Sequence, residues 1–311
     1  MYDVIIIGGG PAATAAAVYT GRKKLRALLI AESFGGQSLV SADIQNWIGT
    51  LSISGVELAQ NLERHIRAQE SVEVKSPERA EHLKRTDDRF AVTTDKGKYE
   101  ARAVVLASGA RRRKLNVPGE AELEGKGVAY CSTCDAPLFS GKKVAVVGGG
   151  NAGLEAVVDL LPYATEVYLL EYADKLKGDP VTQEEVRKNA RVHIVTNAAV
   201  KRIEGDGRFV KKLVYTDRAT NEEKMLAVEG VFVEIGSVPN SELVKGLVQL
   251  NTYGEVVIDH KTAATSQEGI WAAGDVTDER YKQNNISAGD AVKAALSAYH
   301  YLLAKPAAQK I

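Results

Sequence analysis

Cys131 and Cys134 are the only cysteines of this 311-residue chain, and two residues separate them. This spacing lets the two sulfur atoms close into an exchangeable disulfide, and a thiol of lowered pKa at such a site is a nucleophile. Asp135 follows directly and can donate or accept the proton that thiol exchange requires. It can also act as a helix cap before Ala136 and Pro137.

Two other interpretations of the cysteine pair compete with this one. A zinc site would need two further soft ligands, but the chain has no other cysteine and its five histidines are scattered without ligand spacing. Two unconnected buried thiols are the remaining alternative, because small cysteines are common in protein cores. The spacing and the neighbouring acid favour a redox dithiol, and no metal site is expected.

A glycine-rich turn follows the apolar run at residues 4–7. In the pattern Gly8-x-Gly10-x-x-Ala13, the first glycine allows a tight turn and the second lets the backbone approach a pyrophosphate. The third position must be small so that helix and strand can pack. Glu32 ends the next predicted strand and can accept hydrogen bonds from an adenosine ribose. The segment predicts a dinucleotide site.

Residues 143–171 repeat the same order of strand, glycine turn, helix and strand. The turn has the full pattern Gly148-x-Gly150-x-x-Gly153, and Glu171 is the acid that ends the second strand. Its carboxylate would repel a 2′-phosphate, and no arginine follows within the next few residues to neutralise that charge. The second unit therefore predicts a second dinucleotide site that takes NADH in preference to NADPH.

Composition and charge exclude several classes of protein. Forty basic and forty acidic residues cancel, so no broad positive field is available to hold a nucleic acid or an anionic membrane. No apolar run approaches the roughly 20 residues of a membrane-spanning helix, and the start of the chain does not resemble a signal peptide. A cytoplasmic protein is expected.

Turn-rich segments at residues 109–127 and 236–240 are the candidate crossovers between domains. The pieces after the second crossover are too small to fold alone, so they are expected to complete the first domain. The predicted domains are a first part of one domain at residues 1–113, an inserted domain with the cysteines at 114–240, and the second part of the first domain at 241–311.

With these motifs in their order, the whole chain resembles the low-molecular-weight thioredoxin reductase family. The shared motifs, besides the cysteine segment and the two fingerprints, are Gly35-Gly36-Gln37, Asn46-Trp47, Ala107-Ser108-Gly109, Gly236 to Asn240, Ala273-Gly274-Asp275-Val276 and Tyr281-Lys282-Gln283. Within the family the chain is also similar to the flavoprotein component of alkyl hydroperoxide reductase, which uses NADH. The similar segments are residues 32–37, 134–139 and 169–172.

The resemblance implies an α/β homodimer with two Rossmann-like, three-layer nucleotide-binding domains. In this arrangement the FAD domain is discontinuous and the NAD(P)H domain, with the cysteines, is inserted into it. The implied FAD-binding residues are Gly8, Gly10, Pro11, Ala13, Glu32, Gly35, Gly36, Gln37, Asn46, Ala107, Gly109, Gly274, Asp275, Val276 and Gln283. The implied nicotinamide-nucleotide residues are Gly148, Gly150, Asn151, Gly153, Glu171 and Gly236.

The resemblance also assigns catalytic roles. It implies that Cys134 lies against the flavin, that the Cys131 thiolate attacks the disulfide of a thioredoxin- or glutaredoxin-like partner, and that Asp135 protonates the leaving sulfur. In the family the nucleotide domain rotates between two orientations, which puts hinges near residues 112–118 and 236–241. Two alternatives stay open: electrons from another donor, such as a ferredoxin or a reduced flavin, and a redox-sensing module without turnover.

Overall fold

A computed structural model of the protein describes residues 1–41 and 43–305. The chain forms two compact units: unit 1 consists of Met1–Arg111 and the chain from Val238 onward, and unit 2 of Arg112–Ser237. The sequence predicted the two crossovers after residues 113 and 240. Two short strands run along the crossovers and pair with each other.

The described residues form 19 strands and six α-helices, which alternate irregularly along the chain. The strands are β1 (Tyr2–Ile7), β2 (Ala27–Ile30), β3 (Val72–Lys75), β4 (Ala80–Thr86), β5 (Arg89–Thr94), β6 (Lys98–Leu106), β7 (Ala110–Arg112), β8 (Val128–Ala129), β9 (Lys143–Val147), β10 (Glu166–Leu170), β11 (Val192–Val195), β12 (Ala198–Gly205), β13 (Val210–Asp217), β14 (Glu222–Ala227), β15 (Gly230–Val233), β16 (Ser237–Pro239), β17 (Ile258–Asp259), β18 (Ala264–Thr265) and β19 (Ile270–Ala272). The helices are α1 (Pro11–Arg22), α2 (Gly55–Arg67), α3 (Ser132–Asp135), α4 (Asn151–Leu160), α5 (Pro180–Lys188) and α6 (Asn284–Ala304), with short 3₁₀ turns at Gly36–Val40, Ala136–Phe139 and Glu242–Val244.

Unit 1 is built on a nine-stranded sheet in which β1 lies between β2 and β6, parallel to both. All four residues of β2 are buried, as are the last four of β1, which is typical of parallel strands covered on both faces of the sheet. Strand β19, from the end of the chain, adds to β6 in parallel. The late segment therefore completes the first sheet, as the sequence predicted.

Unit 2 contains a five-stranded sheet in the order β11-β10-β9-β15-β8, with all of its neighbouring strands parallel. A three-stranded antiparallel sheet, β12-β13-β14, accompanies it. Phe232 of β15 is fully buried and packs edge-on against Phe139, with ring centroids 4.8 Å apart. The predicted α/β class with two Rossmann-like units, the second inserted in the first, is confirmed.

No helix among residues 1–41 and 43–305 has both the length and the apolar character needed to cross a membrane.

Gly153 is expected to be indispensable for the stability of unit 2. A Cβ at this position would lie 1.7 Å from the carbonyl oxygen of Gly148, so Gly153→Ala must push helix α4 away from strand β9. Overpacking of this kind lowers the free energy of unfolding by about 1–3 kcal/mol. Urea unfolding of the purified chain measures the loss.

Gly150→Ala is the matched control for this prediction. A Cβ at Gly150 meets nothing within 4 Å, and its φ of −86° is open to any residue. The free energy of unfolding of this variant is expected to lie within about 1 kcal/mol of that of the unaltered protein. Equal stability of the two variants would show that the close approach of Gly153 to Gly148 does not constrain the fold.

Candidate redox site and nucleotide-binding turns

The first glycine turn connects β1 to α1 in unit 1. Gly8 has a φ of +138°, and a Cβ there would lie 2.1 Å from the carbonyl oxygen of Ala107. Gly10 is the N-cap of α1 and has no side chain to bind the first amides of the helix, while Pro11 occupies the first helical turn. The space over Gly10 is open, with Gly36 Cα at 3.9 Å from an added Cβ. Free helix amides beside open space suit a pyrophosphate.

Other predicted FAD residues of unit 1 meet although they are far apart in sequence. The Gln37 side-chain amide donates to the Asp275 carboxylate at 2.8 Å. The Asn46 side-chain amide nitrogen lies 3.4 Å from the Gln283 side-chain oxygen. Gln283 is the N-cap of α6. The start of this long helix therefore faces the segment that follows the first fingerprint. These amide and carboxylate groups supply both donors and acceptors for the polar chain of a dinucleotide.

The rest of the predicted FAD set occupies turns and the ends of strands. Glu32 is exposed just after β2, so its carboxylate is open to a ribose. The turn glycines adopt positive φ, and the small residues pack in the core. The positive-φ glycines are Gly35, Gly36, Gly109 and Gly274, and the buried members are Ala13, Ala107 and Val276.

The second glycine turn connects β9 to α4 in unit 2 with the same geometry. Gly148 has a φ of +123°, and an added Cβ would lie 2.4 Å from the carbonyl oxygen of Glu234. Gly150 is the N-cap of α4, again without a side-chain cap and with open space around it. The residues present therefore suit a second dinucleotide.

Glu171 lies directly beside this turn. Glu171 is buried, with 8% of its surface exposed. Its carboxylate accepts hydrogen bonds from the Gly149 amide at 2.6 Å and from the Ala173 amide at 2.8 Å. These bonds fix the side chain against the glycine loop. Each carboxylate oxygen keeps lone-pair capacity for a ribose hydroxyl.

Arg218 is a cation near Glu171 that the sequence pattern did not reveal. It follows β13, donates from Nη1 to the Tyr172 carbonyl oxygen at 2.9 Å, and places its guanidinium carbon 4.0 Å from the centre of the Tyr172 ring. Arg218 lies outside the residues directly after Glu171, where a neutralising arginine is expected from the sequence. The turn after β13 supplies an arginine from 46 positions beyond Tyr172.

Two further nucleotide-set residues have structural roles. The Asn151 side-chain oxygen accepts from the Asp179 amide at 2.7 Å and so ties α4 to the start of α5. Gly236 has a φ of +94°, which favours glycine, and its carbonyl oxygen accepts from the Arg113 amide.

Cys131 and Cys134 form a disulfide with their Cα atoms 5.3 Å apart. Cys131 precedes the one-turn helix α3 and is half-buried, while Cys134 lies within α3 and is exposed. Asp159 of α4 holds this helix, because its carboxylate accepts from the Ser132 hydroxyl at 2.8 Å and the Thr133 hydroxyl at 3.2 Å. The same helix α4 therefore begins at the nucleotide turn and ends at the dithiol.

A buried acid also holds the segment before the cysteines. Glu120 is 2% exposed and accepts from the backbone amides of Leu115 and Asn116 and from the Tyr130 hydroxyl at 3.0 Å. Tyr130 is thus fixed to the incoming crossover, and Cys131 follows it directly.

Two carboxyl groups beside the disulfide have raised pKa values. Burial raises the pKa of Asp135 to about 6, against the opposing charge of Arg112. Burial raises the pKa of Glu234 to about 7, although Arg112 and a hydrogen bond from the Ser132 amide act in the opposite direction. Asp135 was predicted as the acid of the site. Glu234 was not predicted, although an acid at the carboxyl end of an apolar strand was the available signal.

Among the described parts of the chain, no group of three or more His, Cys, Asp or Glu side chains is arranged to hold a metal ion.

Comparison with known proteins gives the family of this chain. The family described as pyridine nucleotide-disulphide oxidoreductase matches residues 2–293. The chain is 45% identical to a protein of Bacillus subtilis named NADH dehydrogenase, over 97% of this chain and 59% of that protein. It is 44% identical to the F subunit of alkyl hydroperoxide reductase from Pseudomonas aeruginosa, over 97% of this chain and 58% of that protein.

Solved structures of similar fold match over nearly the full chain. Thioredoxin reductase from Streptococcus pyogenes has a TM-score of 0.92 and 33% sequence identity, with 98% of this chain and 99% of that chain covered. Thioredoxin reductase from Giardia duodenalis has a TM-score of 0.91 and 28% identity, with 97% and 99% covered. The chain spans 59% of the length of the Bacillus subtilis relative and 58% of that of the Pseudomonas aeruginosa relative. It belongs to the pyridine nucleotide-disulphide oxidoreductase family.

Proposed function

We propose that this chain is an FAD-dependent disulfide reductase of the thioredoxin reductase type. It passes electrons from NADH through FAD to the Cys131–Cys134 disulfide and on to a thioredoxin- or glutaredoxin-like protein. The observation that carries the proposal is that the strand leading to the Cys131–Cys134 disulfide and the strand leading to the glycine turn end at the same edge of the unit 2 sheet, with a desolvated acid beside the disulfide. A homodimer in the cytoplasm is part of the proposal and rests on the family resemblance alone.

FAD, when bound, supplies two-electron transfer between a nicotinamide and a disulfide. In unit 1 the open turn at Gly10 and the helix amides behind it would receive the pyrophosphate. The exposed Glu32 would bind the ribose of the adenosine. The paired side chains of Gln37 and Asp275 would hold the remaining polar chain of the cofactor.

NADH is proposed as the donor because of charge. The Glu171 carboxylate is fixed against the glycine loop, and its negative charge would repel the 2′-phosphate of a nucleotide bound there. Arg218 opposes this preference only in part, since its guanidinium is already engaged by the Tyr172 ring and carbonyl oxygen. The name of the similar Bacillus subtilis protein, NADH dehydrogenase, supports the same donor.

The two sulfur atoms have different roles in the proposal. Cys134 would be the sulfur that receives the electrons that bound FAD supplies, and Cys131 attacks the partner disulfide and forms a mixed disulfide. Asp135, protonated below its raised pKa, gives its proton to the sulfur that leaves. Cys134 then attacks the mixed disulfide and restores the internal bond.

Anaerobic titration with NADH tests the proposed function. Bleaching of the flavin absorbance by about two equivalents of NADH, one for the flavin and one for the disulfide, followed by reduction of added thioredoxin, is the expected result. NADPH is expected to bind more weakly by about 1 kcal/mol or more, roughly fivefold, because of repulsion by Glu171. If the bound flavin stays oxidised in excess NADH, NADH is not the electron donor, and a ferredoxin or a free reduced flavin is favoured instead. Bleaching without turnover of any redoxin would favour a redox-sensing role.

Glu171→Gln is the control for the nucleotide preference, since it keeps the size of the side chain and removes its charge. The ratio of NADPH to NADH affinity is expected to rise in this variant. An unchanged ratio would show that other loops set the preference.

The two cysteines are expected to differ when replaced singly. Cys134→Ser is expected to retain bound flavin that NADH reduces, to lose all turnover, and to trap the partner in a mixed disulfide through Cys131. Non-reducing mass measurement of the adduct reads this directly. Cys131→Ser is expected to trap none. Because Cys134 is the more exposed residue, the reverse pattern would assign it to the partner instead.

The acid role of Asp135 predicts a specific pH dependence. Its pKa of about 6 means that the carboxyl holds a proton below this pH and loses it as the pH rises. The ratio of the single-turnover rates of the unaltered protein and Asp135→Asn, with thioredoxin as oxidant, is expected to be about 10²-fold below pH 6 and to fall above it. Dividing the two rates removes the separate effect of thiol ionisation. A ratio that does not change with pH would contradict the assignment.

A further inference from the structure

Glu234 lies at the level of the disulfide because of strand register. Strand β15 pairs in parallel with β8, with Phe232 opposite Ala129. The pairing ends there, and the same register extended by two residues would bring Glu234 level with Cys131. On its other side β15 pairs with β9, and the Glu234 amide donates to the Val147 carbonyl oxygen at 2.8 Å. Glu234 thus lies between the cysteine segment and the nucleotide turn.

The side chain of Glu234 is not satisfied by its surroundings. Within the described residues its Oε1 atom is buried and has no hydrogen-bond partner. The Ser132 amide, next to Cys131, donates to the carboxyl group. A buried carboxylate oxygen that accepts no hydrogen bond costs free energy, and protonation of the acid removes the buried charge.

The charged groups that face Glu234 come from three elements. Asp135 belongs to the cysteine helix, Asp159 to the end of α4, and Arg112 to the crossover strand β7. The two aspartates raise the pKa of Glu234, and Arg112 lowers it, while burial has the largest effect and raises it to about 7. Asp135, Asp159 and Arg112 thus act on the charge of Glu234 from the elements around the dithiol segment. When a sulfur atom becomes negatively charged, a proton is bound most readily at the acid with the highest pKa.

We propose that Glu234 is the second proton-holding residue of the dithiol, which takes up a proton when the disulfide is reduced and releases it when the partner is reduced. It balances the charge of the sulfur atoms and need not touch the partner. Asp135 remains the acid that serves the leaving sulfur. This inference deepens the proposed function and rests on it.

The steps balance in electrons and protons. Two electrons, which bound FAD would supply, reduce the disulfide and break its S–S bond. Of the two protons that accompany the electrons, one stays on a sulfur atom as a thiol and the other passes to the Glu234 carboxylate, while the second sulfur remains a thiolate. When the partner disulfide is reduced, the internal S–S bond forms again. The thiol proton and the Glu234 proton then leave with the two partner sulfurs. Asp135 protonates the first sulfur to leave and recovers its proton from Glu234.

The pH dependence of the disulfide's reduction potential tests this inference on the full chain. The protein is equilibrated with dithiothreitol buffers of known potential from about pH 7 to about 9, and the reduced fraction is read by alkylation and mass measurement. A proton bound by Glu234 on reduction steepens the fall of the potential with pH by up to about 30 mV per unit, which is tenfold in the equilibrium constant. Glu234→Gln is expected to remove this contribution from pH 7 upward.

Glu229→Gln is the matched control, because this acid precedes the same strand β15 at its other end and is exposed. It is expected to follow the unaltered protein. Should Glu234→Gln fail to fold, Glu234→Met provides a neutral side chain of similar volume. Identical slopes for the unaltered protein and the neutral variant would overturn the proposal.

Because dithiothreitol replaces the flavin as reductant, the two proposals fail separately. Identical slopes together with NADH-driven reduction of thioredoxin would remove only the role of Glu234. A lost slope in Glu234→Gln without any bleaching by NADH would instead leave Glu234 coupled to the dithiol and remove the proposed electron donor.

Discussion

The parallel register of the unit 2 sheet is the constraint on which the site depends. With β15 between β8 and β9, the carboxyl ends of three strands emerge at the same edge. One of these ends continues to Cys131, one to the glycine turn at Gly148 and one to Glu234. In an open α/β sheet this edge is where ligands bind, because the turns and helix amino ends gather there. The redox and nucleotide features are therefore neighbours by topology.

Electrostatics gives the two acidic regions of unit 2 different properties. Glu171 is held by two backbone amides, so its carboxylate is kept beside the glycine loop. Asp135 and Glu234 lie where burial outweighs the charge of Arg112, and their pKa values rise. The Glu171 carboxylate is thus fixed in position by hydrogen bonds, while desolvation raises the pKa values of Asp135 and Glu234.

The sequence sufficed for features whose chemistry is local. The two fingerprints, the cysteine pair with Asp135 and the return of the last segment to the first sheet follow from short-range spacing and strand order. The end of the apolar strand β15 was a local signal for Glu234, but its neighbours follow only from the strand order. Asp159 and Arg218 could not be found in this way, because each reaches its site through the packing of a distant segment. Arg218 arrives from a turn of the antiparallel sheet, and Asp159 from the far end of α4. Their contacts depend on side-chain packing that no local pattern encodes.

The central claim is that electrons from NADH reach the internal disulfide. The most direct measurement is the mass of the peptide with Cys131 and Cys134 after anaerobic reduction by NADH, rapid alkylation and digestion. The account predicts two alkyl groups on this peptide with NADH and none without it, in protein that contains FAD. An unalkylated peptide from protein whose flavin has been fully reduced would contradict the account, because the electrons would then stop before the dithiol.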